Sequence, residues 1–381
     1  MAKPADKALQ YMWNENHLQR GLREPGYCRI LVIGVGGAGN NTINRLMESG
    51  IVGAECVAIN TDLQHLNAIH AHQKILIGEK LTRGLGSGGD PNIGRAAIEE
   101  SIEQVEGIIA DADIVFVTAG MGGGTGTGAA PVVAKLAREK GAIVVGVVTM
   151  PFKIERGRIN YALKGLTEMR RECDTVIVID NNKLMWLVPQ LPINEAFRVG
   201  DQVLANMIKG ISEVISMPSL INLDFADFRT IMKRGGVAIA GIGESNAPNR
   251  AEDAVQKALR MPLLDIDYSG ANGALIHVSG DESLTIEEAN MVGEIVTQMM
   301  SEDALVIWGA RVDPNLKGTL KVTLVMTGVK SPYLLSGYGS KAVELYDLEP
   351  QTQEIKKTDK SILSAELRLQ EIPALEEDLA T

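Results

Sequence analysis

Apolar runs of strand length alternate with segments of helical period along most of the chain, and this alternation restricts the fold more than any other feature. CRILVIG (Cys28–Gly34), CVAIN (Cys56–Asn60), KILIG (Lys74–Gly78), DIVFVT (Asp113–Thr118), AIVVGVVT (Ala142–Thr149) and TVIVID (Thr175–Asp180) are continuous and rich in β-branched residues. Runs of this kind suit strands covered on both faces, as in a parallel sheet; a strand with one wet face would alternate apolar and polar residues. Helical spacing recurs between them at Gly39–Ser49, Pro91–Ile109, Gly126–Lys140 and Arg158–Glu172. Repeated βα units therefore predict an α/β fold, a doubly wound and mostly parallel sheet over 28–193, with its ligand at the carboxyl ends of the strands.

Downstream, Phe197, Leu204, Met207, Ile208, Ile211, Val214 and Ile215 recur at helical spacing, predicting one long connecting helix over 194–217. Further strand and helix patterns follow: Val237–Gly243, Arg250–Arg260, Ala274–Gly280, Ile286–Met300, Ala304–Ala310 and Thr319–Gly328. They predict a second, smaller α/β domain over 218–330. A polar extension (1–27) precedes this body and a polar tail (331–381) follows it. Residues 351–381 hold seven acidic and four basic residues around Ile372-Pro-Ala-Leu375, which reads as a tail carrying a short docking motif.

Charge narrows the partners. Lys and Arg number 37 against 48 Asp and Glu, net −11, with no dense basic run, which argues against nucleic acid or an anionic membrane surface. The first thirty residues lack an apolar signal core and no apolar stretch reaches membrane-spanning length, so a cytoplasmic chain without direct membrane insertion is expected. Cys28, Cys56 and Cys173 lie far apart in apolar contexts and read as reduced structural residues. The five histidines show no zinc spacing and read mostly as surface residues.

The chemistry is concentrated in glycine. The first βα turn reads Gly34-Val-Gly36-Gly37-Ala38-Gly39-Asn40-Asn41, where backbone N–H groups at a helix start can approach an anion closely. It satisfies G-x-G-x-x-G, and Asp62 closes the second strand where a ribose-binding carboxylate would stand, so a nicotinamide-dependent oxidoreductase is one open reading. After the fourth strand, six glycines fall within Gly120–Gly128 around Thr125 and Thr127. Gly122, Gly123, Gly124, Thr125, Gly126 and Thr127 form a nest of donors suited to a polyphosphate, which a single dinucleotide fold does not need. Neither loop has a phosphate-binding lysine. A third segment, Gly84–Pro91, is read either as a flap over the terminal phosphate or as a surface loop.

GGGTGTG (Gly122–Gly128), with GVGGAGNN (Gly34–Asn41), NTD (Asn60–Asp62), GSGGDP (Gly86–Pro91), TMPF (Thr149–Phe152) and NLDFADFR (Asn222–Arg229) in this order, resembles the tubulin superfamily. Within it the series is most similar to the FtsZ family of prokaryotic cell-division GTPases, its wording nearer the archaeal members. The resemblance implies a GTP-dependent polymerising protein of the division ring at mid-cell, assembled head to tail from copies of itself and tethered to the membrane by a partner, with other division proteins recruited through the tail.

It also implies residue roles. Gly36, Gly37, Ala38, Gly39 and Asn40 with Gly124, Thr125 and Gly126 would hold the phosphates of GTP or GDP. Glu155 matches a sugar-contacting acid, while the arginine usual in the family aligns with Arg158 only if this loop is one residue shorter. That departure keeps a third class open, a paralogue that binds GTP with altered turnover. Asn181, Phe197 and Asp201 would recognise the base; by pattern alone Phe197 reads as core packing. Asn222, Asp224 and Asp227 would enter the nucleotide site of the next subunit and orient the attacking water, although Asp224 also reads as a helix N-cap with Asp227 in the first turn. Mg²⁺ is implied by the phosphates; its ligands are unassigned, Asp90 being a candidate.

Overall fold

The computed structural model describes residues 28–217, 219–221, 224–233, 235–260 and 268–329. The N-terminal extension, the tail with its Ile372–Leu375 motif, and Asn222 lie outside the described residues.

Strands β1 (Ile30–Val35), β2 (Ala54–Asn60), β3 (Gln73–Leu76), β4 (Ile114–Gly120), β5 (Ile143–Met150) and β6 (Thr175–Asp180) are joined by helices α1 (Gly36–Glu48), α2 (Leu63–Ala68), α3 (Glu79–Thr82), α4 (Pro91–Glu100), α5 (Ile102–Ile109), α6 (Thr125–Glu139) and α7 (Gly157–Glu172). All six strands pair in parallel, in the order β3-β2-β1-β4-β5-β6. The order reverses at β1, whose Ile30 lies opposite Ala54 on one side and Ile114 on the other. At that reversal the loops leaving β1 and β4 turn to opposite faces and leave a crevice.

The sheet continues past β6. Helices α8 (Asn182–Leu187), α9 (Ile193–Ser216) and α10 (Phe225–Met232) lead to β7 (Val237–Ser245), followed by α11 (Arg250–Leu259), β8 (Gly273–Gly280), α12 (Ile286–Thr297), β9 (Leu305–Val312) and β10 (Leu320–Val329). These strands extend the sheet in the order β7-β10-β8-β9 to ten strands. The junction is slight: β6 meets β7 at Val176 and Val237, near the start of both strands. What joins the halves is α9. Its Leu204, Met207, Ile208, Ile211 and Val214 belong to one buried cluster with Ile43 and Leu46 of α1 and with Ala238, Leu275 and Val325 of the second half. Gly210 lets α9 approach closely, because a Cβ there would stand 2.6 Å from Ile242 Cδ1.

The helix direction matters for function. At its start, Phe197 meets Phe152, just past β5; at its end, Ser216 Oγ donates to Gly53 O, just before β2. Helix α9 thus runs from the carboxyl edge of the parallel strands to their amino edge.

Several sequence expectations are corrected in detail. The helix expected from Gly39 begins at Gly36, so the glycine motif forms its first turn. The single helix expected over Pro91–Ile109 is broken at Ser101, whose φ of −116° and ψ of 17° leave the helical region. The short helices α2, α3 and α8 span six, four and six residues, too few for periodicity to register. His70 and His72 are exposed, as expected of most of the histidines, while His277 is buried. The three cysteines form no disulfide, and burial pushes Cys56 up to about 12, which leaves it unreactive.

Candidate functional site

Two helix N-termini meet in the crevice beside β1 and β4. Val35 and Gly124, at the N-cap positions of α1 and α6, offer no side-chain cap, and neither first turn holds an acid. The early N–H groups of both helices are therefore open to an anion. The helix-dipole term is about 0.3–1 kcal/mol per terminus at exposed sites, whereas each hydrogen bond to a charged group contributes about 1.5–3 kcal/mol. Binding of a polyphosphate here must come mainly from the number of N–H groups presented.

The glycines divide into two kinds. At Gly34 a Cβ would stand 2.5 Å from Gly39 O, at Gly39 2.3 Å from Thr118 O, at Gly126 2.7 Å from Gly120 O, and at Gly128 2.0 Å from Pro91 O. These positions let helices seat against strands and each other. Gly36 has φ +74°, and a Cβ there would stand 2.8 Å from Gly126 N, so its absence lets the two helix starts come together. Gly37 and Gly123 differ. A Cβ on Gly37 meets nothing within 4 Å, and one on Gly123 meets only Gly120 O at 4.0 Å. Space in front of these two backbones, with Ala38 also exposed, is the room a phosphate chain requires. Asn40 in the same turn is fully buried with neither amide atom hydrogen-bonded, an unmet demand that is uncommon in folded chains.

The second loop is braced from within. Gly122 N donates to Thr127 Oγ1 at 2.8 Å, so the Thr127 hydroxyl serves the loop itself. Thr125 Oγ1 lies 2.7 Å from Thr61 Oγ1 and 2.9 Å from Ser87 Oγ. The Gly84–Pro91 segment is accordingly fastened in place: Gly86 N donates to Thr61 O, Leu63 N to Gly84 O, and a Cβ on Gly124 would strike Ser87 Oγ at 2.3 Å. Thr61 and Ser87 were missed as site residues by sequence reasoning. Their only signal was a hydroxyl inside each of two motifs already recognised, NTD and GSGGDP.

Asp62 caps α2, its Oδ1 accepting from His65 N at 3.0 Å. Asp90 caps α4 through Asn92 N at 2.8 Å and packs against Gly124. Among the described residues no cluster of three His, Cys, Asp or Glu could hold a metal. Asp90, the candidate ligand named from the sequence, meets the second loop through its backbone, at Gly124.

At the far side of the crevice, Glu155 and Arg158 form an ion pair at 2.8 Å, and Glu155 also accepts from Phe152 N at 3.0 Å. Arg158 backs onto the second loop, 3.1 Å from where a Gly122 Cβ would be. Asn181 follows β6 directly and opens α8, its N–H donating to Met150 O. Phe197 is 42% exposed and meets Phe152 edge-on, ring centroids 5.6 Å apart. It is not core packing. Asp201, one turn further along the same face of α9, is half-buried; loss of hydration raises its carboxyl to about 7, with Arg45 opposing.

Asp224 and Asp227 stand elsewhere. Asp224 caps α10, accepting from Asp227 N at 2.8 Å, and Asp227 accepts in return from Asp224 N at 3.4 Å. This reciprocal capping box is the local structure the spacing predicts. Both carboxylates lie beyond the carboxyl end of α9, at the end of the molecule opposite the glycine crevice.

The two kinds of glycine separate in unfolding experiments. Gly37→Ala should unfold at the same denaturant concentration as the parent chain, and Gly128→Ala should lose about 1–3 kcal/mol by overpacking. Equal midpoints for the two variants would contradict the division.

Comparison with known proteins follows the same geometry. Residues 29–189 match the model of the Tubulin/FtsZ family, GTPase domain, and residues 236–330 that of the FtsZ family, C-terminal domain. The chain is 58% identical over 315 residues to cell division protein FtsZ 2 of Methanocaldococcus jannaschii, covering 82% of this chain and 83% of that one. It is 53% identical over 308 residues to cell division protein FtsZ 1 of Pyrococcus furiosus, covering 81% and 82%. A solved empty FtsZ dimer from M. jannaschii superposes with a TM-score of 0.74 at 47% identity, covering 89% of this chain and 99% of that one. The GTPγS-bound protofilament of CetZ2 from Haloferax volcanii, at 24% identity and TM-score 0.71 over 84% and 98%, shares the fold. The oxidoreductase reading of the first glycine turn is thereby set aside: the chain belongs to the tubulin/FtsZ family of GTPases.

Proposed function

We propose that this chain is a cell-division GTPase that assembles head to tail and hydrolyses GTP at the junction between subunits. The observation that carries this reading is the length and direction of α9. Its 24 residues span about 36 Å at 1.5 Å per residue, with the base-side residue Phe197 near one end and Asp224 just past the other. One copy cannot bring its own carboxylates to its own phosphates; a second copy stacked on the crevice can. Such a contact joins two different faces, so it propagates into an open filament. Exposed apolar residues occur at both ends: Leu63, Leu81 and Leu85 beside the crevice, Leu220 and Ile221 beside Asp224.

In this reading the residues 28–193 act as the nucleotide domain, 194–217 as the spacer, and 218–330 as the domain that presents the carboxylates. Gly36, Gly37, Ala38, Gly39 and Asn40 with Gly122, Gly123, Gly124, Thr125 and Gly126 surround the phosphates, Thr127 and Asp62 shaping their loops. Glu155 and Arg158, paired at 2.8 Å, face the sugar. Phe197 and Asn181 flank the base, and Asp201 accepts from guanine N1–H and its exocyclic amine. Adenine cannot supply both donors, so a buried acceptor would go unpaired. Mg²⁺ bound with GTP would supply charge neutralisation at the phosphates. Asp224 and Asp227, with Asn222, orient the attacking water from the neighbouring subunit. Among the described residues no helix is long and apolar enough to cross a membrane, and we place recruitment of a membrane tether and other division proteins at mid-cell on the 331–381 tail.

Asp227→Asn keeps an acceptor for the capping box while removing the charge. It should abolish turnover with GTP affinity retained, and mixing it into parent protein should depress turnover more than dilution does; lost nucleotide binding would contradict a role in trans. Asp201 gives a second test. Guanine binds the carboxylate, so below about pH 7 a proton must leave on binding. GDP affinity should therefore fall as pH drops through 7, approaching tenfold per unit, and Asp201→Asn should remove the dependence. Calorimetric titration from pH 5.5 to 8.5 reads this, and a flat profile in the parent chain would remove Asp201 from the base edge.

A further inference from the structure

His277 on β8 is a buried imidazole that the proposed chemistry leaves unused. It is 4% exposed, and burial together with Arg311 and Lys321 pushes it down to about 4, so the ring is neutral. Both nitrogens have hydroxyl partners: Nε2 lies 3.1 Å from Ser219 Oγ, and Nδ1 3.3 Å from Ser279 Oγ. A neutral ring has one donor and one acceptor nitrogen, and here both are engaged.

Ser279 is two residues away on the same strand. Ser219 is not. It belongs to the segment between α9 and α10 that leads to Asp224. The same segment has a second tie: Ile221 and Ala310 of β9 exchange both backbone hydrogen bonds, at 3.1 and 3.2 Å. Burial does not hold this segment, since Leu220 is 76% and Ile221 41% exposed. Residues 219–221 are held by hydrogen bonds to the second half of the sheet.

From this juxtaposition we propose that His277 is a positioning residue for hydrolysis: with the Ile221–Ala310 pairing, its bond to Ser219 sets where one subunit presents Asp224 and Asp227 to the next. The inference rests on the reading that those carboxylates act in trans. It makes the second half of the sheet part of the hydrolytic machinery of a neighbour, through a group that never touches nucleotide.

The test compares His277→Ala, His277→Gln and Ser219→Ala in the full chain. His277→Ala should keep GDP affinity within twofold and still form sedimentable polymer with GTP, while turnover per subunit falls about tenfold. His277→Gln, whose amide can donate and accept near the Nε2 position, should recover most of that loss. Ser219→Ala removes only the partner hydroxyl and should reproduce the loss even if His277→Ala proves too unstable to purify. Turnover at the parent level in Ser219→Ala, or in a folded His277→Ala, overturns the proposal.

Mixing separates it from the reading beneath it. Gly37→Asp subunits keep an intact α9–α10 segment and carry a blocked phosphate crevice. Added to His277→Ala, they should raise turnover above either protein alone; added to Asp227→Asn, they should do the same. Rescue of Asp227→Asn without rescue of His277→Ala overturns the positioning role and leaves the trans reading standing. Rescue of neither overturns both.

Discussion

Two helices can begin within reach of the same polyphosphate only if their first turns nearly touch, and here that contact is made of backbone. Gly36 approaches Gly126 N so closely that a Cβ would sit 2.8 Å away. Gly34, Gly39 and Gly126 let the same helices settle onto β1 and β4. The convergence occurs where strand order reverses, so two sets of open N–H groups share one crevice. Phe197 and Asp201, the third glycine segment and the length of α9 are all arranged relative to that point.

From there the geometry leads to a partner. Helix α9 carries Phe197 and Asp201 at one end and delivers the chain to Asp224 at the other. Its apolar face is buried against both halves of the sheet, so it cannot shorten the distance by bending back. The separation between phosphate crevice and carboxylates is a property of the fold and needs no conformational change to explain it. In the proposed reading a second subunit completes the site, and assembly then becomes a condition for hydrolysis. The halves of the sheet themselves touch through few strand contacts, which leaves α9 and the segment after it to hold them in register.

Much of this was legible in the residues. Continuous β-branched runs located the parallel strands, and Thr175–Asp180 was bounded to the residue, with Asp174 before it and Asn181 after it. Phe197 was misread by pattern, since a ring at helical spacing in an apolar face ordinarily packs inward; its exposure depends on where the helix overhangs the sheet, which is a tertiary fact. The break at Ser101 was invisible because apolar period continues through it. Thr61, Ser87 and His277 could not be found by spacing at all. Each acts through a partner far away in sequence: Thr125, 64 and 38 residues from the first two, and Ser219, 58 residues from the third.

The account's central claim is that no single copy contains a complete hydrolytic site. Phosphate release from GTP, with Mg²⁺, measured against protein concentration, tests it most directly. Turnover per subunit should be negligible up to a threshold and rise above it as junctions form. A rate strictly proportional to protein from the lowest concentration would mean a self-contained site and would contradict the account.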